Sequence, residues 1–400
     1  MSLFLRVVTL EEAQRVAREI APAPVEEETP LGEAFNRVLA RDAAAREDIP
    51  GFARSTVDGY AVLAADTTGA GEAIPAILRM ASELAMGSSP SKSLHPGEGM
   101  YVPTGAMLPA GADAAVMIEY AETIGEEVLV KRPVAPGENV ILRGEDFRKG
   151  ATVLPRGRRI SSRDAGILAA AGFGRVPVYR KPVIGILSTG NELVPVPETP
   201  GPGQVRDANG PMCAAFVEEA GCTPLSYGIV RDEAGALSAA LERAIRECDA
   251  VLLSGGSSKD VRDLVAAAIA EKGEVIVHGI SVAPGKPTIV GRAVGKPVIG
   301  LPGHPASAYV ILHVLGRPLF SAMSGYYPAE RKATVVLAEN IPSQKGRTEF
   351  VRVRVREGKA YPCFGKSGLL NTFADSDGMI RVPAEREGFE AGETVEVTLW

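Results

Sequence analysis

Four short turns in this chain carry residue types suited to holding an anion. They are Ser188-Thr189-Gly190-Asn191-Glu192, Ser254-Gly255-Gly256-Ser257-Ser258, Pro284-Gly285-Lys286-Pro287 and Leu301-Pro302-Gly303-His304-Pro305. Glycine lets a backbone come close to a ligand, and successive N–H groups in such turns form concave nests that bind oxyanions. Lys286 adds a positive charge. One such turn alone usually only reverses the chain. Four on one rim describe a site for an anionic, phosphorylated small molecule.

Placing them on one rim requires a particular scaffold. Apolar runs at 183–187, 225–230, 250–253, 275–277 and 297–300 alternate with helical patterns at 210–220, 234–247, 263–272 and 306–315, which predicts a parallel α/β domain. Ligands of such sheets sit beyond the carboxyl ends of the strands, where these turns fall. Upstream, Thr9-Leu10-Glu11-Glu12 is a capping-box pattern opening a helix that stops before Pro22, and Thr29-Pro30 predicts a second helix with Leu31, Ala34, Phe35, Val38 and Leu39 on one face. A third helix is expected after Ser161-Ser162-Arg163-Asp164, ending at Gly172. Short strands and turns between residues 45 and 149 suggest a small β-rich domain, and period-two alternation after Gly325 suggests an all-β domain. Residues 195–203 read as a loop, and Arg352, Arg354 and Arg356 as the solvated face of a strand.

A chain of 400 residues predicts two to four domains, and 44 glycines with 30 prolines predict many tight turns. The net charge of -6 argues against nucleic acid or an anionic membrane as the main partner. No apolar run is long enough to span a bilayer, and Glu11 and Glu12 interrupt any signal-peptide pattern, so the compartment is read as cytoplasmic. Cys213, Cys222, Cys248 and Cys363 form no C-x-x-C pair and read as small hydrophobes, while His304 reads as a loop histidine satisfied by backbone. Neither a nucleophilic triad nor a dinucleotide-binding glycine fingerprint after a strand is present.

Two further motifs complete a pattern. Phe52-Ala53-Arg54-Ser55-Thr56-Val57-Asp58-Gly59-Tyr60-Ala61 and Pro103-Thr104-Gly105-Ala106-Met107-Leu108-Pro109-Ala110-Gly111-Ala112-Asp113 precede Arg143-Gly144-Glu145-Asp146 and the rim turns. These three with the turns at Ser188, Pro284 and Leu301 make six motifs whose order resembles the molybdopterin molybdenumtransferase (MoeA) family, relatives of the E domain of gephyrin, over essentially the whole chain. The resemblance implies a multidomain α/β protein in four parts. These are a parallel α/β molybdopterin-binding domain (1–25 and 180–325), a small linking domain (26–44 and 150–179), an inserted β-rich domain (45–149) and a C-terminal β-barrel (326–400).

It also implies an elongated homodimer that inserts molybdate into adenylylated molybdopterin and releases AMP, with Mg²⁺ and with molybdopterin adenylyltransferase as its pathway partner. The cleft would lie between the α/β domain of one subunit and the inserted domain of the other. Asp58, Asp146, Glu192, Asp232 and Asp263 are the acidic positions carried over, with Asp58, Asp146 and Asp263 as candidate metal ligands. Thr104, Ser188, Thr189, Gly190, Ser254, Gly255, Gly256, Ser258, Pro284, Gly285, Lys286, Pro287, Pro302, Gly303 and Pro305 are the implied substrate-binding positions.

Departures from the family pattern are Asp260 in place of a glycine, Ala283 in place of a lysine, which leaves Lys259 as the candidate replacement charge, and His304 in place of asparagine. A non-catalytic paralogue that binds molybdopterin or a protein partner is the alternative, and tungstate is an alternative to molybdate.

Overall fold

The computed structural model describes residues 7–255 and 259–400, with the backbone alone for 259–261. Its central sheet has six strands in the order Thr223–Val230, Val183–Thr189, Ala250–Gly255, Lys296–Leu301, Ile289–Ala293, Gly273–His278. The first four are parallel. Val183–Thr189 and Ala250–Gly255 are near-continuous apolar runs because both their faces are covered, the usual composition of central parallel strands.

The last two strands run antiparallel, which corrects the wholly parallel expectation. Ile289–Ala293 and Lys296–Leu301 form a hairpin through Val294 and Gly295, both at positive φ (49° and 77°). A two-residue turn with both φ positive normally announces itself as Asn-Gly or Asp-Gly. Here the first place is held by a β-branched residue, so the turn left no mark in the sequence.

Chain order sets the location of the crevice. From Val183–Thr189 the chain crosses outward to Thr223–Val230, then returns to Ala250–Gly255 on the other side. The order therefore reverses between Val183–Thr189 and Ala250–Gly255, and the crevice beyond their carboxyl ends is where open α/β sheets take ligands.

The helix Leu10–Glu19 opens on Thr9, whose side chain accepts from the Glu12 N–H. Its Leu10, Ala13, Val16 and Ala17 share a core with Ile184, Ile186, Leu252, Val310 and Phe320, so the sheet and this distant helix bury one another. The predicted second helix is absent. Glu26–Pro30 is a strand paired with Arg175–Tyr179, Leu31–Glu33 is a single 3₁₀ turn, and Val38–Leu39 pairs with the same Arg175–Tyr179 strand. Asn36 at φ 62° breaks the helical path, and Phe35, required on the apolar face, is exposed. Leu39 and Ala34 are buried against Val153, Ile160, Leu168 and Val178 instead, so tertiary packing overrode a local signature. The third helix, Ser162–Ala170, forms with the reciprocal Ser161–Asp164 capping box. Asp164 is buried; burial pushes its carboxyl up, but bonds from Arg158 and Ser161 prevail and hold it at about 2.

Residues between 53 and 140 build a separate six-stranded sheet with its own two apolar clusters. Near the carboxyl terminus, Thr348–Arg356, Lys359–Pro362, Lys332–Leu337, Thr394–Leu399 and Gly378–Val382 pair in turn, and the last pairs back to the first, closing a β-barrel. Val282–Ala283, just before the Pro284 turn, adds in parallel to Thr348 and Glu349 of that barrel. Among the described residues, Pro305–Ser324 is the helical stretch long and apolar enough to cross a bilayer, and most of it is buried in the core between sheet and barrel.

Candidate active site

Three parallel strands deliver their turns to one rim, with Ser188 beside Ser254 and Ser254 beside Leu301 in register. The Pro284–Pro287 turn reaches the same rim by the antiparallel route: it precedes Ile289, which pairs with Gly300. Close backbone approach decides the glycines here. A side chain on Gly255, at φ 143°, would begin 2.0 Å from the Thr189 carbonyl oxygen, and one on Gly285, at φ 118°, would strike Ile311 at 2.6 Å.

At the switch point the polar groups converge. Thr189 Oγ1 donates to Asp232 Oδ1 at 2.6 Å, and the Asn191 N–H donates to Asp232 Oδ2 at 3.2 Å. A Cβ on Gly190 would lie 2.8 Å from both Glu192 carboxylate oxygens, so that side chain folds over the turn. Asp207 and Asn209, which sequence reasoning did not single out, are buried here. Asp207 Oδ1 accepts from the Gly210 N–H at 2.9 Å, and Asn209 Nδ2 donates to the Gly303 carbonyl at 2.9 Å, tying the switch point to the Leu301–Pro305 turn. The available signal was an Asp-x-Asn just before the Gly210-Pro211 helix start, a capping pattern read only as an element boundary. A cavity of about 830 Å³ opens outside, lined by Gly190, Pro195, Asp207, Gly210 and Arg231 among others. Pro195 and Val196 place the 195–203 loop on its wall, a role beyond connection.

The other end of the rim meets the barrel. Arg352 is only 5% exposed, which overturns its reading as a solvated arginine. Val351 and Val353 belong to the barrel core while Phe350 joins the α/β core, and the 365–372 stretch lies over Arg352, so this face of the strand is not left to water. Arg352 Nη2 donates to Thr372 Oγ1 at 3.1 Å and to the Gly365 carbonyl at 3.4 Å, and its Nε has no partner. No carboxylate pairs with it among the described residues. Burial pushes its pKa below the ordinary arginine value. It lines a cavity of about 310 Å³ together with Pro284, Glu349, Cys363, Gly365 and Ser367, and the Glu349 carboxylate there accepts from Ser343 Oγ at 2.8 Å. His304 Nδ1 is 2.8 Å from Ser367 Oγ, so its partner is a barrel side chain and not backbone.

Two more atoms of the rim, Asn209 Oδ1 and Ser254 Oγ, are buried without a partner. A buried polar atom left unsatisfied costs roughly 1–3 kcal/mol, and more when charged. The Arg352 guanidinium and the Ser254 hydroxyl can each donate to an oxygen of an anionic ligand, whereas Asn209 Oδ1 can only accept and calls for a ligand N–H or O–H.

The remaining predicted positions are dispersed. Asp58 and Thr104 lie on the inserted sheet, where Asp58 Oδ1 accepts from the Thr104 N–H at 2.7 Å, and Asp146 is exposed on a turn whose N–H donates to the Ile49 carbonyl. Asp263 is exposed on the helix Lys259–Lys272, and Lys286 is exposed in its turn beside the half-buried Pro284 and Pro287. Pro302 is buried, with Gly303 and Pro305 partly so. Gly256 and Ser258 lie outside the described residues. Among those described, no group of three His, Cys, Asp or Glu side chains is gathered as a metal site. Asp58, Asp146 and Asp263 therefore do not meet within one chain.

The fold is that of an α/β protein with an inserted β domain and a barrel, and comparisons give the family. The MoeA N-terminal region (domain I and II) matches residues 8–172, the family described as "Probable molybdopterin binding domain" matches 185–322, and the MoeA C-terminal region (domain IV) matches 334–400. A molybdopterin biosynthesis protein of Methanocaldococcus jannaschii is 34% identical over 412 residues, spanning 100% of both chains. The molybdopterin molybdenumtransferase of Bacillus subtilis is 34% identical over 380 residues, covering 92% of this chain and 88% of its own. The crystal structure of a molybdopterin biosynthesis MoeA protein from Pyrococcus horikoshii superposes with a TM-score of 0.88 at 38% identity, covering 98% of this chain and 99% of that one. The chain belongs to the MoeA family of molybdenum cofactor biosynthesis.

Proposed function

We propose that this transferase inserts molybdate into adenylylated molybdopterin and releases AMP, with the pterin nucleotide in the switch-point cavity and the oxyanion in the Arg352 pocket. The observation that carries the reading is the buried guanidinium without a carboxylate, placed where Pro284 and the rim meet the barrel. Burying a charge costs several kcal/mol unless something compensates it, and a tetrahedral dianion compensates a fork of N–H donors well. The larger cavity has the size and mixed lining of a pterin nucleotide site.

Magnesium dependence belongs to the proposal. Mg²⁺ keeps most of its water and uses one or two carboxylates plus substrate phosphates, so it does not require three protein ligands. Glu192 at the switch point and Asp263 on the following helix fit that modest demand. Bound there, Mg²⁺ would supply positive charge to the phosphoanhydride oxygens. The chain's own groups bind and orient: the Gly190 and Gly255 turns approach the substrate, Lys286 attracts its charge, and Arg352 fixes the oxyanion.

Asp58 and Asp146 complete the site from a second subunit in this proposal. The dispersal of the acidic positions supports a homodimer that sets the inserted domain of one copy against the rim of the other. We further propose a cytoplasmic location and supply of the substrate by a molybdopterin adenylyltransferase.

The test is paired. Asp263→Asn should slow AMP release while leaving pterin binding largely intact. Lys286→Ala should weaken molybdate or phosphate binding by about 1.5–3 kcal/mol, more strongly at low salt. Calorimetry with pterin nucleotide and molybdate, alongside AMP release, reads both. No AMP release from wild-type protein supplied with molybdate, Mg²⁺ and adenylylated molybdopterin would sink the reading. Equal use of tungstate would widen it.

A further inference from the structure

The Phe364–Leu370 stretch of the barrel is exposed throughout except at Ser367, which is half-buried. Three side-chain contacts pin the segment. Arg352 holds it at Gly365 and at Thr372, and His304 holds it at Ser367 from the opposite side. His304 is itself fixed, because the adjoining Gly303 carbonyl accepts from buried Asn209. Ser367 and Arg352 line the same 310 Å³ cavity.

A serine hydroxyl has one proton to give and lone pairs to offer. In the neutral tautomer protonated at Nε2, His304 Nδ1 accepts a hydrogen bond from that hydroxyl, and Ser367 presents only lone pairs to the cavity, which repel an anion. When Nδ1 carries a proton it donates to Ser367 Oγ, and the hydroxyl proton is free to donate into the cavity. We propose that His304 is a positioning residue for the oxyanion: by exchanging acceptor for donor toward Ser367, it decides whether that hydroxyl can hold the anion. The inference rests on the oxyanion reading of the Arg352 pocket and adds its regulation by pH. Oxyanion affinity rises when the imidazole gains its second proton, since the imidazolium donates from Nδ1 in every arrangement, frees the hydroxyl proton and adds positive charge.

Other ionisable groups on the surrounding segments are Lys286 in the neighbouring turn, Lys366 beside Ser367, Arg352, Cys363 and Glu349 in the cavity wall, and Asp207 ahead of the helix carrying Asn209; Glu349 is engaged by Ser343 and Arg347. Between roughly pH 6 and 8.5, lysine and arginine stay charged and carboxylates stay ionised. Burial raises the Cys363 thiol above its ordinary value. Molybdate remains a dianion over the same range, whereas phosphate titrates, so molybdate is the probe.

Full-length wild-type protein titrated calorimetrically with molybdate should lose affinity on the order of tenfold from about pH 6 to 8.5, the scale of one hydrogen bond to a charged group. In His304→Asn the side chain cannot titrate, so the profile should flatten. Ser367→Ala should flatten it near the alkaline level. With four histidines in the chain, imidazole resonances can be followed singly, and molybdate should raise the titration midpoint of His304, as reciprocity requires. A wild-type slope that persists in His304→Asn, or a His304 midpoint unmoved by molybdate, would overturn the inference while Arg352-dependent binding left the function standing. Failure of molybdate to bind wild-type protein at any pH would overturn both.

Discussion

Asp232 at one end of the rim accepts from Thr189 and Asn191, and Asp207 accepts from Gly210. At the other end Arg352 is buried with a free Nε and bonds Thr372 and Gly365, while Ser367 in the same cavity is bonded to His304. The carboxylates of the switch-point end are already bonded to neighbouring groups, so much of its shape is set before any ligand arrives, with Ser254 Oγ and Asn209 Oδ1 left open. The barrel end holds a cation that no carboxylate pairs and is left incomplete. A large nucleotide gains most from a prepared surface, because rigid sites lose less entropy on binding, whereas a small oxyanion gains most from charge it can neutralise. The two ends thus divide the work between shape and charge.

That division can be broken most sharply at Arg352. Arg352→Ala should lower molybdate affinity by on the order of a hundredfold or more and abolish AMP release with it, since a desolvated charge contact is worth about 3 kcal/mol. Arg352→Lys should recover only part, because a point charge cannot reproduce the planar fork. Pterin nucleotide affinity, measured by calorimetry in the same variants, should barely change. A comparable loss there would show that the two ends are one site.

Gly255→Ala tests the prepared end. The new Cβ meets the Thr189 carbonyl in a backbone conformation that side chains rarely adopt, so stability should fall by about 2–4 kcal/mol in urea titration, with pterin affinity falling alongside. Molybdate affinity should hold in the fraction that remains folded.

The smallest effect is expected behind the barrel end. His313 packs among Phe216, Tyr309 and Trp400, its Nε2 has no partner, and burial, with help from Arg317, depresses it to about 3. Its folded pKa lies below the unfolded value of about 6.5, so its stabilising contribution is whole above that pH. It is lost as pH falls from there toward 3, by at most ~1.4 kcal/mol per pH unit. His313→Leu should flatten this slope between pH 7 and 5 in denaturant titrations. An unchanged slope would place the acid sensitivity in this window elsewhere, and not at Asp164, whose contribution is lost only below the ordinary aspartate range.

Turns and central strands were readable because glycine, proline and long apolar runs have few other uses. Leu301–Pro305 and Ser188–Glu192 could be assigned to strand ends from composition alone, and the capped helices at Leu10–Glu19 and Ser162–Ala170 carry their own start signals. What escaped depends on a second element. Thr29-Pro30 reads as a helix start until Arg175–Tyr179 offers a strand partner on both sides. The run from Val351 to Arg356 alternates as a half-exposed strand should, and nothing local says that the 365–372 stretch covers Arg352 but leaves Arg356 outside. Asp207 and Asn209 were hidden for the same reason, since Asn209 acts on Gly303, far along the chain.

The small bridge beside Ala283 has a consequence for the order in which the molecule assembles. Val8 pairs with Ile280, the Ser281 N–H donates to the Val8 carbonyl, and Thr348 returns a bond from its own N–H to the Ser281 carbonyl. Three stretches remote from one another in sequence are sewn together there by a few bonds. Joining distant stretches requires closing long loops first, and contacts of that kind form slowly. The Arg352 cavity, which needs Pro284 from one of these stretches and a barrel strand from another, is therefore among the last features a folding chain completes. A variant or a temperature that loosens this seam would leave a chain with an intact sheet and no place for the oxyanion.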